Sequence, residues 1–287
     1  MFGIFDGITN WFKEILIEGI MGNFARMFND VNREVASIAV NVGATPQTWN
    51  ANIFNMIRTL SEAVIIPIAG MILTFVLCYE LINMIIEKNN MHDVDTFMFF
   101  KWIFKTFIAV YILTNTFDLV MGVFSLAQNV VNNSAGIITG SLDANLALTN
   151  LEAQLQAMGW GELLGLYLES AIISLAMQAM SLCVFIVVFG RMIEIYLTIS
   201  VAPIPFSTMI NREWGNIGNS YLKSLFALAF QGFLIMVCVA IYAILLQNVT
   251  SSTNIHTALW GMAGYTILLI FTLFKTGSLA KSLFSAH

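Results

Sequence analysis

Five apolar stretches constrain this chain more than any other feature. They run from about Ala63 to Ile86, Phe97 to Leu126, Leu163 to Ala202, Tyr221 to Gln247 and Thr257 to Phe274. Each is about 20 residues or longer, the length an α-helix needs to cross bilayer hydrocarbon. A soluble chain would break such runs with charge, yet only 10% of the whole chain is charged and 58% is hydrophobic, where soluble domains carry roughly a quarter charged. The expected fold is therefore all-α: a polytopic integral membrane protein with about five transmembrane helices plus amphipathic interfacial helices.

The rest of the chain reads as amphipathic or polar. In residues 1–45, Ile4, Ile8, Trp11, Phe12 and Ile15 recur at helical spacing among Asp6, Lys13, Glu14 and Glu18, too polar to span. A second stretch carries Arg26, Asp30, Arg33 and Glu34 before Gly43-Ala44-Thr45-Pro46 breaks it. An N-terminal helical hairpin lying on the membrane or on neighbouring helices is the expectation. The N-terminus lacks the basic region and cleavage site of a signal peptide, so it is expected to be retained. Between the second and third spans, Leu148, Leu151, Leu155 and Met158 recur every three or four residues, which predicts a surface-lying helix whose apolar stripe is a candidate oligomer interface. In chain order this gives an N-terminal amphipathic segment (1–60), a first transmembrane hairpin (61–127), an external loop with a helix (128–162), and three further spans (163–287) with a cytoplasmic connection near 203–220.

Basic residues set the orientation. Lys88, Lys101 and Lys105 flank the first hairpin, Arg191, Arg212 and Lys223 the third-to-fourth connection, and Lys275 and Lys281 follow the last span, whereas 128–162 and 248–256 carry no Lys or Arg. By the positive-inside rule the N-terminus lies outside and the C-terminus inside. The outer face, with Asp118, Asp143, Glu152, Glu162 and Glu169, is acidic, and a net charge of −5 with no dense Lys/Arg cluster argues against direct capture of nucleic acid.

No HExxH, GxSxG, P-loop, GxGxxG or zinc-type spacing occurs, so no catalytic, cofactor or metal site is expected and the chain does not read as an enzyme. His92-Asp93-Val94-Asp95 is too small a donor set for zinc, and Asp95 stands where a helix N-cap belongs. Cys78, Cys183 and Cys238 read as small hydrophobes. Glu80 in the first span reaches the depth of Lys101 and Lys105 in an antiparallel hairpin, so an ion pair is expected there. Arg191 and Glu194 pair at i,i+3 ahead of the Pro203-Ile204-Pro205 break.

Gly190-Arg191-Met192-Ile193-Glu194-Ile195-Tyr196-Leu197, running on through Ser200-Val201-Ala202-Pro203-Ile204-Pro205, resembles the TrbL-type polytopic membrane subunits of type IV secretion systems, of which conjugative elements of Gram-positive bacteria encode close relatives. The layout of five spans and a central external loop is similar too. The resemblance implies a channel subunit in the cytoplasmic membrane that helps single-stranded DNA with its relaxase leave the cell. Partner ATPases would supply catalysis, and a cell-wall hydrolase would be another partner. It assigns no catalytic residue, and Arg191, Glu194, Pro203 and Pro205 transfer as a structural signature only. Five spans enclose too little space for DNA, so a homo-oligomeric ring is expected, with the family leaning to five-fold closure. A secondary transporter is the main alternative, although no internal repeat is evident.

Overall fold

The computed structural model describes residues 2–87, 96–135, 144–250 and 254–286, and every regular element among them is helical. In chain order these are α1 (Phe2–Gly43), α2 (Pro46–Trp49), α3 (Ala51–Leu60), α4 (Ile66–Glu87), α5 (Thr96–Thr114), α6 (Thr116–Ala135), α7 (Ala144–Ala157), α8 (Trp160–Ser200), α9 (Pro203–Thr208), α10 (Gly215–Thr250) and α11 (Ile255–Leu283). Among the described residues, five helical runs are long and apolar enough to cross a membrane: Ala51–Ile86, Phe97–Thr114, Trp160–Ser200, Gly215–Val249 and Ile255–Leu283. The protein is thus a multi-pass membrane protein. The 41 residues of α8 extend about 60 Å, twice the thickness of bilayer hydrocarbon.

Local chemistry explains where the elements differ from the sequence reading. The first span starts earlier because α3 and α4 are one helical run joined by a π-helical segment, Ser61–Ile65, in which Ile66 N–H donates to Ser61 O. Pro67 follows directly, and its ring would collide with the carbonyl four residues back; the widened turn accommodates it. The second span does not continue smoothly to Leu126 but is interrupted at Asn115. There Asn115 Nδ2 donates to Tyr111 O beside the Asn115 amide, Thr114 Oγ1 to Val110 O and Thr116 Oγ1 to Ile112 O, so side chains share carbonyls with the helical ladder. The expected N-terminal hairpin is one continuous helix, α1. Gly19 and Gly22 are isolated and no proline accompanies them, so nothing enforces a turn. The break at Gly43-Ala44-Thr45-Pro46 is present: Thr45 Oγ1 accepts from Thr48 N at 3.2 Å and Pro46 opens α2.

The chain divides into two compact units, each assembled from segments distant in sequence. Unit 1 comprises Met1–Val42, Asn133–Phe189 and Leu234–Thr276. In it α1 buries Ile20, Phe24, Met27, Val31 and Ile38, a stripe at three- and four-residue spacing. Gly19 faces Tyr167 so closely that a Cβ would stand 2.5 Å from its ring. Further along, Asn23 Nδ2 donates to Ser170 Oγ at 2.9 Å and Ser181 Oγ to Glu34 Oε2 at 2.7 Å. The paired positions rise together, so α1 and α8 run parallel here. Tyr242 with Thr266 and Val249 with Gly261 pair in opposite order, which makes α10 and α11 an antiparallel hairpin.

Unit 2 comprises Gly43–Asn132, Gly190–Phe233 and Gly277–His287. Its larger core gathers Phe54, Phe117, Val120, Phe124, Met192, Ile195, Ile199, Phe206, Leu225 and Leu228. A smaller one packs Ala69, Leu73 and Leu77 of α4 against Ala109 and Leu113 of α5, with Ile204 and Ile210 laid over them. Outside this seam α5 is apolar and exposed at Phe97, Phe100, Ile103, Phe104 and Phe107, as a helix facing lipid should be.

Candidate functional site

The sequence motif around the proline break builds the most elaborate polar junction of unit 2. Pro203 and Pro205 have no amide proton, so α8 cannot continue through them. Thr198 O loses its ladder donor because Ala202 N turns instead to Ile199 O at 3.2 Å; the Tyr221 hydroxyl takes its place, donating to Thr198 O at 2.9 Å. Ser200, Ser207 and Thr208 donate their hydroxyls to Leu197 O, Ile204 O and Pro205 O at 2.7–2.8 Å. Carbonyls around the break thereby keep donors, as buried backbone groups must. The segment is not a plain exit to the membrane surface: Pro203, Phe206, Ser207 and Thr208 are buried, and α9 packs on α4 and α5.

Gly218 makes the return possible. A Cβ there would stand 2.7 Å from Pro205 O and 2.0 Å from Met209 Cγ, so only glycine lets the start of α10 lie this close to α9.

A charged clamp fastens the returning segment to the hairpin. Lys105 Nζ donates to Glu80 Oε1 at 3.1 Å and Asn211 Nδ2 to Glu80 Oε2 at 3.3 Å. Lys105, not Lys101, is thus the partner of Glu80, while Lys101 is exposed. Asn211 Oδ1 accepts from the amides of Glu213 and Trp214 at 2.7 and 3.0 Å, holding the turn before α10. Trp214 stacks on Phe75 and Tyr79 of α4 at 5.7 and 5.3 Å between ring centroids, and Tyr79 OH donates to Glu213 Oε2 at 3.0 Å. Asn211, Trp214, Tyr79 and Glu213 were not singled out in the sequence. The polar run Asn211-Arg212-Glu213-Trp214-Gly215, directly after a proline-broken apolar helix, is the signal that marks such a turn.

The remaining motif residues anchor α8 in different directions. Arg191 is buried; its Nη2 donates to Leu228 O at 3.4 Å, and its Nε has no acceptor among the described residues. Glu194 pairs at 3.4 Å with Lys281 of α11, both about half exposed, so the link contributes little to stability. Tyr196 OH donates to Pro46 O at 2.6 Å and Asn50 O at 3.3 Å, tying α8 to α2.

The other candidates fall as follows. Leu151 and Leu155 are buried within unit 1 of the chain itself and Met158 is partly buried. Leu148 stands in the part of α7 whose side chains are not described. His92, Asp93, Val94, Asp95 and Asp143 lie outside the described residues. Asp118 is exposed in the first turn of α6, where the helix dipole favours a carboxylate. Glu169 Oε2 bonds His256 Nδ1 at 2.5 Å. Glu34 is half-buried, and loss of water around it raises its carboxyl pKa above the ordinary glutamate value, against the lowering effect of the Ser181 bond. No group of three or more His, Cys, Asp or Glu side chains suited to a metal occurs among the described residues.

The fold and this junction define a polytopic α-helical membrane protein organised around a proline-broken helix that is clamped by charge. Residues 31–203 match the family model described as TrbL/VirB6 plasmid conjugal transfer like protein. That match spans more than half of the chain, and the protein belongs to this family. It is accordingly a subunit of a conjugal transfer system. No curated protein and no solved structure matches the chain.

Proposed function

We propose that the protein is a structural channel subunit of a conjugative type IV secretion system in the cytoplasmic membrane, helping a single DNA strand with its attached relaxase cross. The family match over 31–203, which ends within the Pro203 break, carries this reading. Five long apolar helices supply the membrane anchorage. The work of transport falls to partner ATPases, and a cell-wall hydrolase opens the path beyond the membrane. The N-terminus and the 128–162 segment lie outside and the C-terminus inside, in keeping with the distribution of Lys and Arg; the parallel run of α1 and α8 supports the N-terminus sharing a side with the start of α8. The linear segments 1–60, 61–127, 128–162 and 163–287 are the corresponding topological parts.

Several copies form a ring, with the family resemblance leaning to five-fold closure, because one subunit is too thin to enclose a strand. With Leu151 and Leu155 spent inside the subunit, the contact falls to the stripe Ile8, Trp11, Phe12 and Ile15, which α1 leaves exposed. In a donor strain carrying Trp11→Cys, oxidation is expected to yield a disulfide-linked dimer and a lysine-reactive bifunctional reagent a ladder of multimers, and DNA cross-linking is expected to recover the transferring strand with this protein only while the coupling ATPase is active. A monomer in lipid with no cross-linked species would overturn the ring. Transfer that persists after deletion of the gene would overturn the channel role.

A further inference from the structure

In unit 2, Arg191 is a buried cation without an anion. It is 7% exposed, and of its several N–H groups only Nη2 finds an acceptor, Leu228 O at 3.4 Å. Its Nε is the only buried side-chain nitrogen or oxygen left without a hydrogen-bond partner among the described residues. A guanidinium stays charged, and an unpaired buried charge is costly, so the position calls for an anion. Glu194, one turn on, does not bond to it and is held at 3.4 Å by Lys281 of α11. Two cations and one carboxylate leave this cluster one positive charge in excess. α10 meets α11 at the same level, where Phe284 rests on Phe226 and Phe230.

The surroundings say what kind of anion can reach Arg191. Residues 170–190 of α8 and 257–274 of α11 carry no charged side chain, each run about one bilayer crossing. Arg191 directly follows the first run, so it stands where hydrocarbon gives way to headgroups. The surface around the cluster is apolar as well, with Ile193, Leu197, Phe226, Leu279 and Leu283 exposed. Gly190 leaves the approach open, since a Cβ there would meet nothing within 4 Å. A soluble anion has no polar path along such a surface. The phosphate of a phospholipid arrives with hydrocarbon that covers it.

We propose that Arg191 and Lys281 form a headgroup site for an anionic phospholipid, whose phosphate meets the free edge of the Arg191 guanidinium. The planar fork of arginine suits two phosphate oxygens. One surplus positive charge matches a phosphodiester that brings no cation of its own, as in phosphatidylglycerol, and not the zwitterionic phosphatidylcholine. A lipid bound there joins α8 to α11 through a ligand held by both.

The test uses the full-length protein in neutral detergent, titrated with phosphatidylglycerol or with phosphatidylcholine of the same chains. Native mass spectrometry counts the bound lipid, and the thermal unfolding midpoint reports its effect. Persistent adducts and a rise in the midpoint are expected with phosphatidylglycerol and not with phosphatidylcholine. Arg191→Gln is expected to weaken phosphatidylglycerol binding at least tenfold, and Arg191→Lys and Lys281→Gln severalfold. Lys101→Gln, at an exposed cation elsewhere in unit 2, should leave it unchanged. If the Arg191 variants do not fold, Lys281→Gln decides. Equal binding of the two lipids overturns the proposal, as does phosphatidylglycerol binding that no site variant weakens. An equal rise with inorganic phosphate would assign the site to a soluble anion. Multimers of the lipid-free protein that Arg191→Gln disperses would assign the missing anion to a second copy. Either result overturns the lipid site.

Discussion

Removing Lys105 should cost more than removing Glu80, although Glu80 is the more buried partner of their ion pair. The Glu80 side chain is 12% exposed and that of Lys105 37%. What a broken pair costs is set by the survivor. If Glu80→Gln removes the carboxylate, Lys105 keeps a long stem and enough exposure to carry its ammonium toward the interface, and the amide still accepts from Asn211. If Lys105→Met removes the cation, Glu80 is left among helices with one hydrogen bond, from Asn211 at 3.3 Å. Breaking a fully buried pair costs about 3–5 kcal/mol, and partial exposure of Lys105 scales this down. The expected losses are about 2–3 kcal/mol for Lys105→Met and about 1 kcal/mol for Glu80→Gln. The double variant should recover part of the lysine penalty, since the stranded charge is then gone. Reversible unfolding of the purified protein in mixed micelles, read by tryptophan fluorescence, measures all three. Equal losses, or a larger one for Glu80→Gln, would refute the reasoning and show that Glu80 has another source of charge stabilisation.

Gly218→Ala should destabilise by about 1–2 kcal/mol, because overpacking against Pro205 O outweighs the helix propensity gained. Gly264→Ala, with nothing within 4 Å of the new Cβ, should instead raise the unfolding midpoint slightly. Glu34 binds its proton more tightly in the folded protein, so its contribution to stability is fully present below the ordinary glutamate pKa and is lost as pH rises through the raised value. The unfolding midpoint should therefore fall as the pH rises through that window, and Glu34→Gln should flatten the profile. A cysteine replacing the exposed Glu152 should react with a membrane-impermeant maleimide on intact cells; labelling only after lysis would invert the topology.

Much of the architecture was legible in the sequence because bilayer thickness imposes a length that composition reveals directly. Five spans overlap the five expected ones, although the first begins at Ala51 and the second ends at Thr114. The Glu80 pairing could be anticipated because two helices joined by a short connection must bring equal depths together. Other features depended on partners remote in sequence. Glu34 reads as part of a solvated face beside Arg33 and Asp30, and only the arrival of Ser181 from α8 shows that it is half-buried. The stripe of α7 looked free for the same reason: periodicity shows that a face is apolar, but not whether the same chain covers it. Asn115 was hidden in a stretch whose mean hydropathy is high, where one amide and two threonines are enough to interrupt a helix. Pro203 and Pro205 announced a break, yet the return of α9 onto α4 needed Gly218, which carries no hydrophobic signal at all.

Neither compact unit is a continuous piece of chain. The boundary between them is crossed at 42/43, 132/133, 189/190, 233/234 and 276/277, with α8, α10 and α11 each contributing to both. This has a consequence for synthesis. When α8 has just left the ribosome, unit 1 lacks Leu234–Thr276 and unit 2 lacks residues 201–233 and Gly277–His287. Earlier spans must therefore wait in the membrane with unfinished packing surfaces, and the two units can close only in the final moments of translation. A pause or truncation before α11 would leave two incomplete folds, where a protein of consecutive domains would leave one finished and one missing.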